Sequence, residues 1–220
     1  FAPIHEVIIH SPDHHKNFDE LPLSQSELIL KTYRQRFQAH HDKGQVYIFN
    51  NHGEAGGESL PHPHTQLVVI PDFVKLKITP LNFRSSDERQ DTEHFSIFCP
   101  LSSEWPDEVW IVPKKEGVFF FEISDDEVKG LAKILHRLIQ IFDLRHGHEF
   151  PFNFYISPYK GWYLRIIPRL KSLGGFELGT GISVNTQDPK ETIAFIKEHF
   201  ESPDEEKIRT THRAEYKRAV

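Results

Sequence analysis

Apolar and polar positions along the chain fall into two recurring patterns. Short apolar runs bounded by Pro, Gly and Asp read as strands, and longer stretches with apolar residues three and four apart read as helices. Glu6-Val7-Ile8-Ile9 is the first such strand. Ser24-x-x-Glu27 has the form of a capping box and predicts a helix running to about Asp42, with Gly44 as its stop and Ile29, Leu30, Tyr33 and Phe37 on the inner face. Gln45 to Phe49 returns as a strand, Leu67 to Ile70 forms the apolar end of another, and Phe73 to Ile78 reads as one more. Arg84 to Glu93, rich in Ser, Asp, Arg and Gln, predicts a turn-rich boundary.

The order then repeats. Asp107 to Pro113 answers Ile4 to Ile9, and Phe120-Phe121-Glu122-Ile123 answers Phe18-Asp19-Glu20-Leu21. A second capping box, Ser124-x-x-Glu127, opens a helix with Val128, Leu131, Leu135, Leu138 and Phe142 at helical spacing and Gly147 beyond its end. Phe152 to Ser157 and Gly161 to Pro168 follow as strands. This predicts an α+β fold built by internal duplication, each half an antiparallel sheet with a packed helix. The halves span residues 1–83 and 94–185, with C-terminal helices over 186–220. In that last part a glycine-rich stretch, Gly174 to Gly181, precedes a strand at Ile182-Ser183-Val184. Asp188-Pro189-Lys190-Glu191 then opens a helix burying Ile193, Ile196 and Phe200, and Ser202 to Val220 reads as an exposed helix with charges matched to its dipole.

Composition narrows the function. Eighteen phenylalanines in 220 residues predict an aromatic core. A net charge of −6 argues against a general nucleic-acid or anionic-membrane binder, so an anionic ligand needs a local positive site. No apolar run is long enough for a membrane span. Cys99 is the only cysteine, which rules out an internal disulfide and points to a reducing, cytoplasmic setting. No methionine occurs, even at the start, so the chain is expected to continue upstream of Phe1.

The chemistry concentrates between Asn50 and Gln66. A glycine-rich turn, Gly53-Glu54-Ala55-Gly56-Gly57-Glu58-Ser59, is expected to wrap an anion with its N–H groups and the Ser59 hydroxyl. The strand that follows it begins Pro61-His62-Pro63-His64-Thr65-Gln66, and side-chain alternation predicts His62, His64 and Gln66 on one face. Fifteen histidines make one His-x-His pair unremarkable. The adjoining loop and the Gln at the third position single this pair out. Neutral imidazole is a good nucleophile near pH 7 and a tolerable leaving group, which suits two-step phosphoryl chemistry through a covalent histidine intermediate. The second copy carries Gly161, Tyr163 and Arg165 at these positions, so only the first copy holds the chemistry.

These residues resemble the galactose-1-phosphate uridylyltransferase and ADP-glucose phosphorylase family, the transferase branch of the histidine-triad superfamily. The resemblance rests on Ser11-Pro12-Asp13-His14, on Asn51 through Gln66 with His-Pro-His-x-Gln, on Glu108 to Pro113, on Ile167-Pro168-Arg169 and on Phe176-Glu177-x-Gly179-Thr180-Gly181. It implies two histidine-triad-like halves in one subunit and a homodimer whose active sites draw on both chains. It further implies that His64 attacks the α-phosphorus of a nucleotide sugar, giving a nucleotidyl-histidine and sugar 1-phosphate. The nucleotidyl group then passes to another sugar 1-phosphate or to phosphate. Gln66 is expected on a nonbridging oxygen, Asn51, Gly57 and Ser59 on the phosphates, and Gln187 on the acceptor sugar phosphate. His14 and His62 match the two histidine ligands of the family's structural zinc, whose Cys-x-x-Cys partners this sequence lacks. A second metal site of some members falls on Pro80, Ile156, Tyr163 and Arg165, no plausible ligand set, so no second metal is expected there. Arg165 remains as a structural cation or an anion ligand. Two other readings stand beside transfer: a hydrolase of the same superfamily, with water as acceptor, and a non-catalytic protein that binds nucleotides or sugar phosphates.

Overall fold

A computed structural model describes residues 4–14, 16–81, 88–148 and 150–209. Its strands are β1 (Ile4–Ile9), β2 (Gln45–His52), β3 (His64–Ile70), β4 (Arg89–Asp91), β5 (Phe95–Phe98), β6 (Val109–Pro113), β7 (Phe152–Ile156) and β8 (Leu164–Pro168). The helices are α1 (Leu23–His40), α2 (Asp125–His146), α3 (Gly175–Thr180) and α4 (Pro189–His199). Among the described residues the strands form one antiparallel sheet in the order β1-β3-β2-β7-β8-β6-β5-β4. The first three strands and the set β6-β8-β7 have the same internal order, and the two sets meet where β2 pairs antiparallel with β7.

Alternation decides what each face does. Leu67 and Val69 of β3, Ile48 of β2, Phe152 and Phe154 of β7 and Leu164 and Ile166 of β8 face one side, where α1, α2 and α4 bury them. α1 contributes Ile29, Leu30, Tyr33 and Phe37, and α2 contributes Val128, Leu131, Leu135, Leu138 and Phe142, the inner faces their periodicities predict. The Ser124 box forms as expected: Ser124 Oγ accepts from Glu127 N at 3.1 Å, and Glu127 Oε2 accepts from Ser124 N at 2.7 Å. The Ser24 box does not. α1 starts earlier, with Pro22 as its cap and Gln25 and Ser26 donating to the Pro22 carbonyl, so Ser24 is already helical. At Gly44 (φ 142°) a Cβ would lie 2.5 Å from Ile70 O, so only glycine allows this close return into β2.

Two expected strands are absent. Residues 73–81 run without a ladder instead, with Phe73 exposed and Ile78 and Leu81 packed on an aromatic cluster of Phe98, Trp110, Tyr155 and Tyr163 on the opposite face of the sheet. Their carbonyls are taken by side chains, Val74 O by Gln45 Nε2 at 2.8 Å and Thr79 O by the Tyr163 hydroxyl at 2.5 Å, rather than by a ladder. Ile182 to Val184 is irregular, with Ile182 and Val184 exposed. Of the expected turn-rich boundary, residues 84–87 lie outside the described residues, and Arg89–Asp91 pairs with β5 as an edge strand. Residues 210–220 of the expected last helix also lie outside the described residues; helical turns occupy 205–209. No helix among the described residues is long and apolar enough to cross a membrane.

Candidate active site

The strand registers lay the face opposite the helices out in rows, exposed at the Val7 and Ile9 edge and buried at His64 and beneath Ile78 and Leu81. One runs across all eight strands: Val7, Gln66, Phe49, Tyr155, Arg165, Trp110, Phe98 and Arg89. The neighbouring row holds Ile9 opposite His64, and Asn51 opposite Asn153. Asn51 stands alongside His64, since the β2–β3 ladder closes at Asn50–Thr65 one position before both. His64, Asn51 and Asn153 therefore form a polar line across three strands, next to the glycine loop that joins β2 to β3.

His64 is held in one tautomer. Its Nδ1 lies 2.8 Å from the His62 carbonyl oxygen, which only accepts, so the proton sits on Nδ1 and the lone pair on Nε2. Asn50, on the opposite face of β2, donates from Nδ2 to the His64 carbonyl at 2.5 Å. Behind the strand lies a buried polar triangle. His10 Nε2 is 2.8 Å from Thr65 Oγ1 and 3.2 Å from the Tyr33 hydroxyl, which also contacts Thr65 Oγ1. All three residues are fully buried. Burial, reinforced by the neighbouring His64, His52 and His62, pushes the His10 imidazole down to about 3, so it stays neutral.

Gln66 sits one row away, and His5 Nε2 lies 2.8 Å from its Oε1, an arrangement that leaves the Gln66 amide nitrogen for another partner. His62 departs from the expected alternation because the strand begins only at His64. Its Nε2 donates to the Ser11 carbonyl at 2.9 Å, and its Nδ1 faces His14 Nδ1 at 2.9 Å. The Ser11 hydroxyl, which accepts from Asp13 N at 3.0 Å, shapes the turn that presents His14. Two zinc-bound imidazole nitrogens about 2.0–2.1 Å from a tetrahedral ion are roughly 3.3 Å apart, so this pair is within a few tenths of an ångström of a half-site. The carbonyl anchor on His62 Nε2 is what a metal-ligating imidazole requires of its outer nitrogen. Among the described residues no group of three or more His, Cys, Asp or Glu completes such a site.

The glycine loop is less open than expected. Gly53 N donates to the Glu58 carboxylate at 2.8 Å, Gly56 N and Glu58 N donate to Gly53 O, and Gly57 N donates to Glu54 O at 2.9 Å. Those four N–H groups are engaged within the loop. At Gly57 (φ 78°) a Cβ would meet nothing within 4 Å, so that side is open space, and Ser59 is exposed nearby. Gln187 bonds through its amide nitrogen to Glu191 at 3.2 Å and through its backbone N–H to Asn185 at 3.0 Å, and neither bond is to the polar row.

Arg165 is a structural cation. Its Nε lies 2.8 Å from Glu108 Oε1 and its Nη2 donates to Glu108 Oε2 at 2.9 Å, with Glu104, Thr79 and Tyr155 around the rest. Tyr163 and Arg165, which share the face of His64 and Gln66, are absorbed by this cluster.

Sequence reasoning missed Asn153, Asn50 and His10. A lone Asn in an apolar strand carries no signal until its cross-strand neighbour is known.

Known proteins resemble this chain in sequence and in fold. Residues 4–70 match the family described as galactose-1-phosphate uridyl transferase, N-terminal domain. The chain is 26% identical to an ADP-glucose phosphorylase of Arabidopsis thaliana over 226 residues, which cover 88% of this chain and 64% of that protein. It is 27% identical to a galactose-1-phosphate uridylyltransferase of Thermotoga maritima, covering 88% and 73%, and 30% identical to one of Haemophilus influenzae, covering 70% and 52%. It thus spans between about half and three quarters of the length of these relatives. Among solved structures, a GalT-like protein of Arabidopsis thaliana superposes with a TM-score of 0.77 at 24% identity, covering 88% of this chain and 74% of that one. The structure of an Arabidopsis thaliana ADP-glucose phosphorylase with bound ADP-glucose gives 0.77 at 23% identity, covering 88% and 73%. In sequence and in fold, the chain resembles the galactose-1-phosphate uridylyltransferase and ADP-glucose phosphorylase family.

Proposed function

We propose that this chain is a nucleotidyltransferase acting on a nucleotide sugar through His64. The observation that carries the reading is the His64 Nδ1–H bond to the His62 carbonyl, which leaves Nε2 as the nucleophile beside Asn51 and the glycine loop. His64 Nε2 attacks the α-phosphorus, an N–P bond forms, and the bridging P–O bond breaks. Sugar 1-phosphate leaves with that electron pair. An oxygen of a second sugar 1-phosphate, or of phosphate, then attacks the same phosphorus and releases the imidazole. Catalysis here is positioning and charge neutralisation, supplied by the Asn51 and Gln66 amides and by Ser59 and the open side of Gly57. Gln187 serves the acceptor sugar phosphate in this reading.

His14 and His62 would hold a structural zinc through Nδ1, with two further ligands from outside the described residues. Such an ion would tie the turn after β1 to the entry of β3. The shared strand order of β1-β3-β2 and β6-β8-β7 supports an internal duplication. A homodimer accounts for the exposed Val7 and Ile9 on the face opposite the helices and for Leu173, Phe176, Leu178 and Ile182 around α3.

Similarity to both uridylyltransferases and an ADP-glucose phosphorylase leaves the acceptor to experiment. Protein labelled from UDP-glucose or ADP-glucose carrying α-³²P is isolated and chased with glucose 1-phosphate, galactose 1-phosphate, inorganic phosphate or buffer alone. Discharge by a sugar phosphate identifies a transferase, discharge by phosphate a phosphorylase, and equal loss in buffer a hydrolase. No label from either donor would leave only a binding protein.

A further inference from the structure

The polar row continues past Asn51 to a cation with no assigned role. Asn153 Nδ2 donates to Asn51 Oδ1 at 2.8 Å and to the Gly56 carbonyl at 2.6 Å, and Arg169 Nη1 donates to Asn153 Oδ1 at 2.9 Å. These partners leave no freedom in how the amides are turned. Arg169 only donates, so the Asn153 atom facing it is oxygen. The Gly56 carbonyl only accepts, so the other Asn153 atom is nitrogen. Asn51 must then offer its own oxygen to that nitrogen, which directs Asn51 Nδ2 away from Asn153, with no hydrogen-bond partner among the described residues.

Arg169 is itself firmly held. It follows β8, its backbone N–H donates to Pro151 O at 2.7 Å, and its guanidinium lies 4.5 Å over the Trp105 ring. Among the described residues no carboxylate lies within ion-pair distance of it, and its Nε is buried without a hydrogen bond. A cation left unneutralised at the end of the row is the local positive charge that an acidic protein needs near a phosphate ligand.

We propose that Arg169 and Asn153 are positioning residues that fix the Asn51 carboxamide with its N–H₂ presented to a phosphate oxygen of the ligand. The proposal rests on the nucleotide-sugar reading of the site. Without the relay, Asn51 can rotate and present a carbonyl oxygen to an anion, which repels where it should bind. Asn153→Asp creates this reversal. The carboxylate keeps the contact to Arg169 but offers Asn51 only an acceptor, so Asn51 turns its nitrogen inward.

The test is a double-mutant cycle of wild type, Asn51→Ala, Asn153→Asp and the pair. Two quantities are measured: pyrophosphate affinity by calorimetry, and the half-saturating concentration of α-labelled UDP-glucose or ADP-glucose for labelling His64. Asn153→Asp is expected to weaken both by about tenfold or more in the wild-type background. In the Asn51→Ala background its effect on both is expected to be at least about threefold smaller, the remainder being the Arg169 charge that the new carboxylate neutralises. Equal effects in the two backgrounds, or failure of the wild type to bind pyrophosphate, overturn the proposal. If Asn153→Asp does not fold, Arg169→Lys, which keeps the charge but loses the planar fork, is read in the same cycle with the same expected outcome. A wild type that binds pyrophosphate but takes no label refutes the transferase reading and leaves the relay to be judged on affinity alone.

Discussion

The His62 carbonyl oxygen lies 2.8 Å from His64 Nδ1, so the first histidine of the motif fixes the tautomer of the second through its backbone, not its ring. The two imidazoles consequently have separable roles, and their replacements are expected to fail in different ways.

Replacing His64 removes the nucleophile from the end of a strand whose other side chains stay packed. His64→Ala is expected to abolish labelling from an α-labelled nucleotide sugar, with the melting temperature within a few degrees of wild type. His64→Gly is expected to regain turnover, but no protein label, when imidazole is added, because the free imidazole takes the nucleotidyl group in place of the missing side chain. Full turnover by the alanine variant would contradict the assignment directly.

Replacing His62 leaves the nucleophile and its carbonyl anchor in place but cuts the tie to Ser11 and His14. His62→Ala is expected to lower the melting temperature and the zinc content per chain together. Chelation of wild-type protein is expected to bring its melting temperature down to that of the variant. Equal zinc content in both proteins, measured by atomic absorption, would remove His62 from the ligand set.

Much of this was legible beforehand because the informative residues carry their signal locally. His64 and Gln66 alternate along one strand, α2 announces itself by a reciprocal cap, and the two sets of strands repeat in order. Elsewhere the signal was absent or misleading. Phe95–Phe98 is buried at every position and shows no alternation, and Arg89–Asp91 reads as a turn because an edge strand tolerates charge. Residues 73–78 are apolar enough for a strand, yet Phe73 is exposed and only Ile78 among them packs on the aromatic cluster. Asn153 meets Asn51 across 102 residues of sequence, and only the β2–β7 register brings them together.

The Arg165–Glu108 pair is almost completely buried, so its cost shows when one partner is removed. Glu108→Gln is expected to destabilise by up to about 3–5 kcal/mol, because it leaves the guanidinium among Trp110, Tyr155 and Tyr163 with only the half-exposed Glu104 carboxylate as counter-charge. The double replacement Glu108→Leu, Arg165→Met is expected to recover most of that loss in urea unfolding. Retained nucleotide-sugar binding in the double variant would confirm that Arg165 serves the fold alone. A selective loss of binding there would return Arg165 to the site.

The His10–Thr65–Tyr33 triangle makes a prediction in pH. An unfolded His10 has its ordinary value near 6.5, and burial pushes the folded value down to about 3. Between those values the unfolded chain binds the extra proton. The neutral buried imidazole therefore contributes stability that is fully present above pH 6.5 and is lost progressively as the pH falls toward 3. Glu6 adds to the same trend at its lower end. Its bidentate contact with Arg36, helped by His40, holds it at about 2 against an ordinary 4.5, so that contribution disappears between pH 4.5 and 2. Thr65→Val leaves the Tyr33 hydroxyl and His10 Nε2 with one partner fewer and is expected to cost about 1–3 kcal/mol at pH 7. His10→Asn is expected to flatten the stability profile between pH 6.5 and 4.5 while leaving the fall below pH 4.5 in place. Urea midpoints measured across that range check both, and a His10→Asn profile parallel to wild type would show that the histidine is not held neutral in the folded chain.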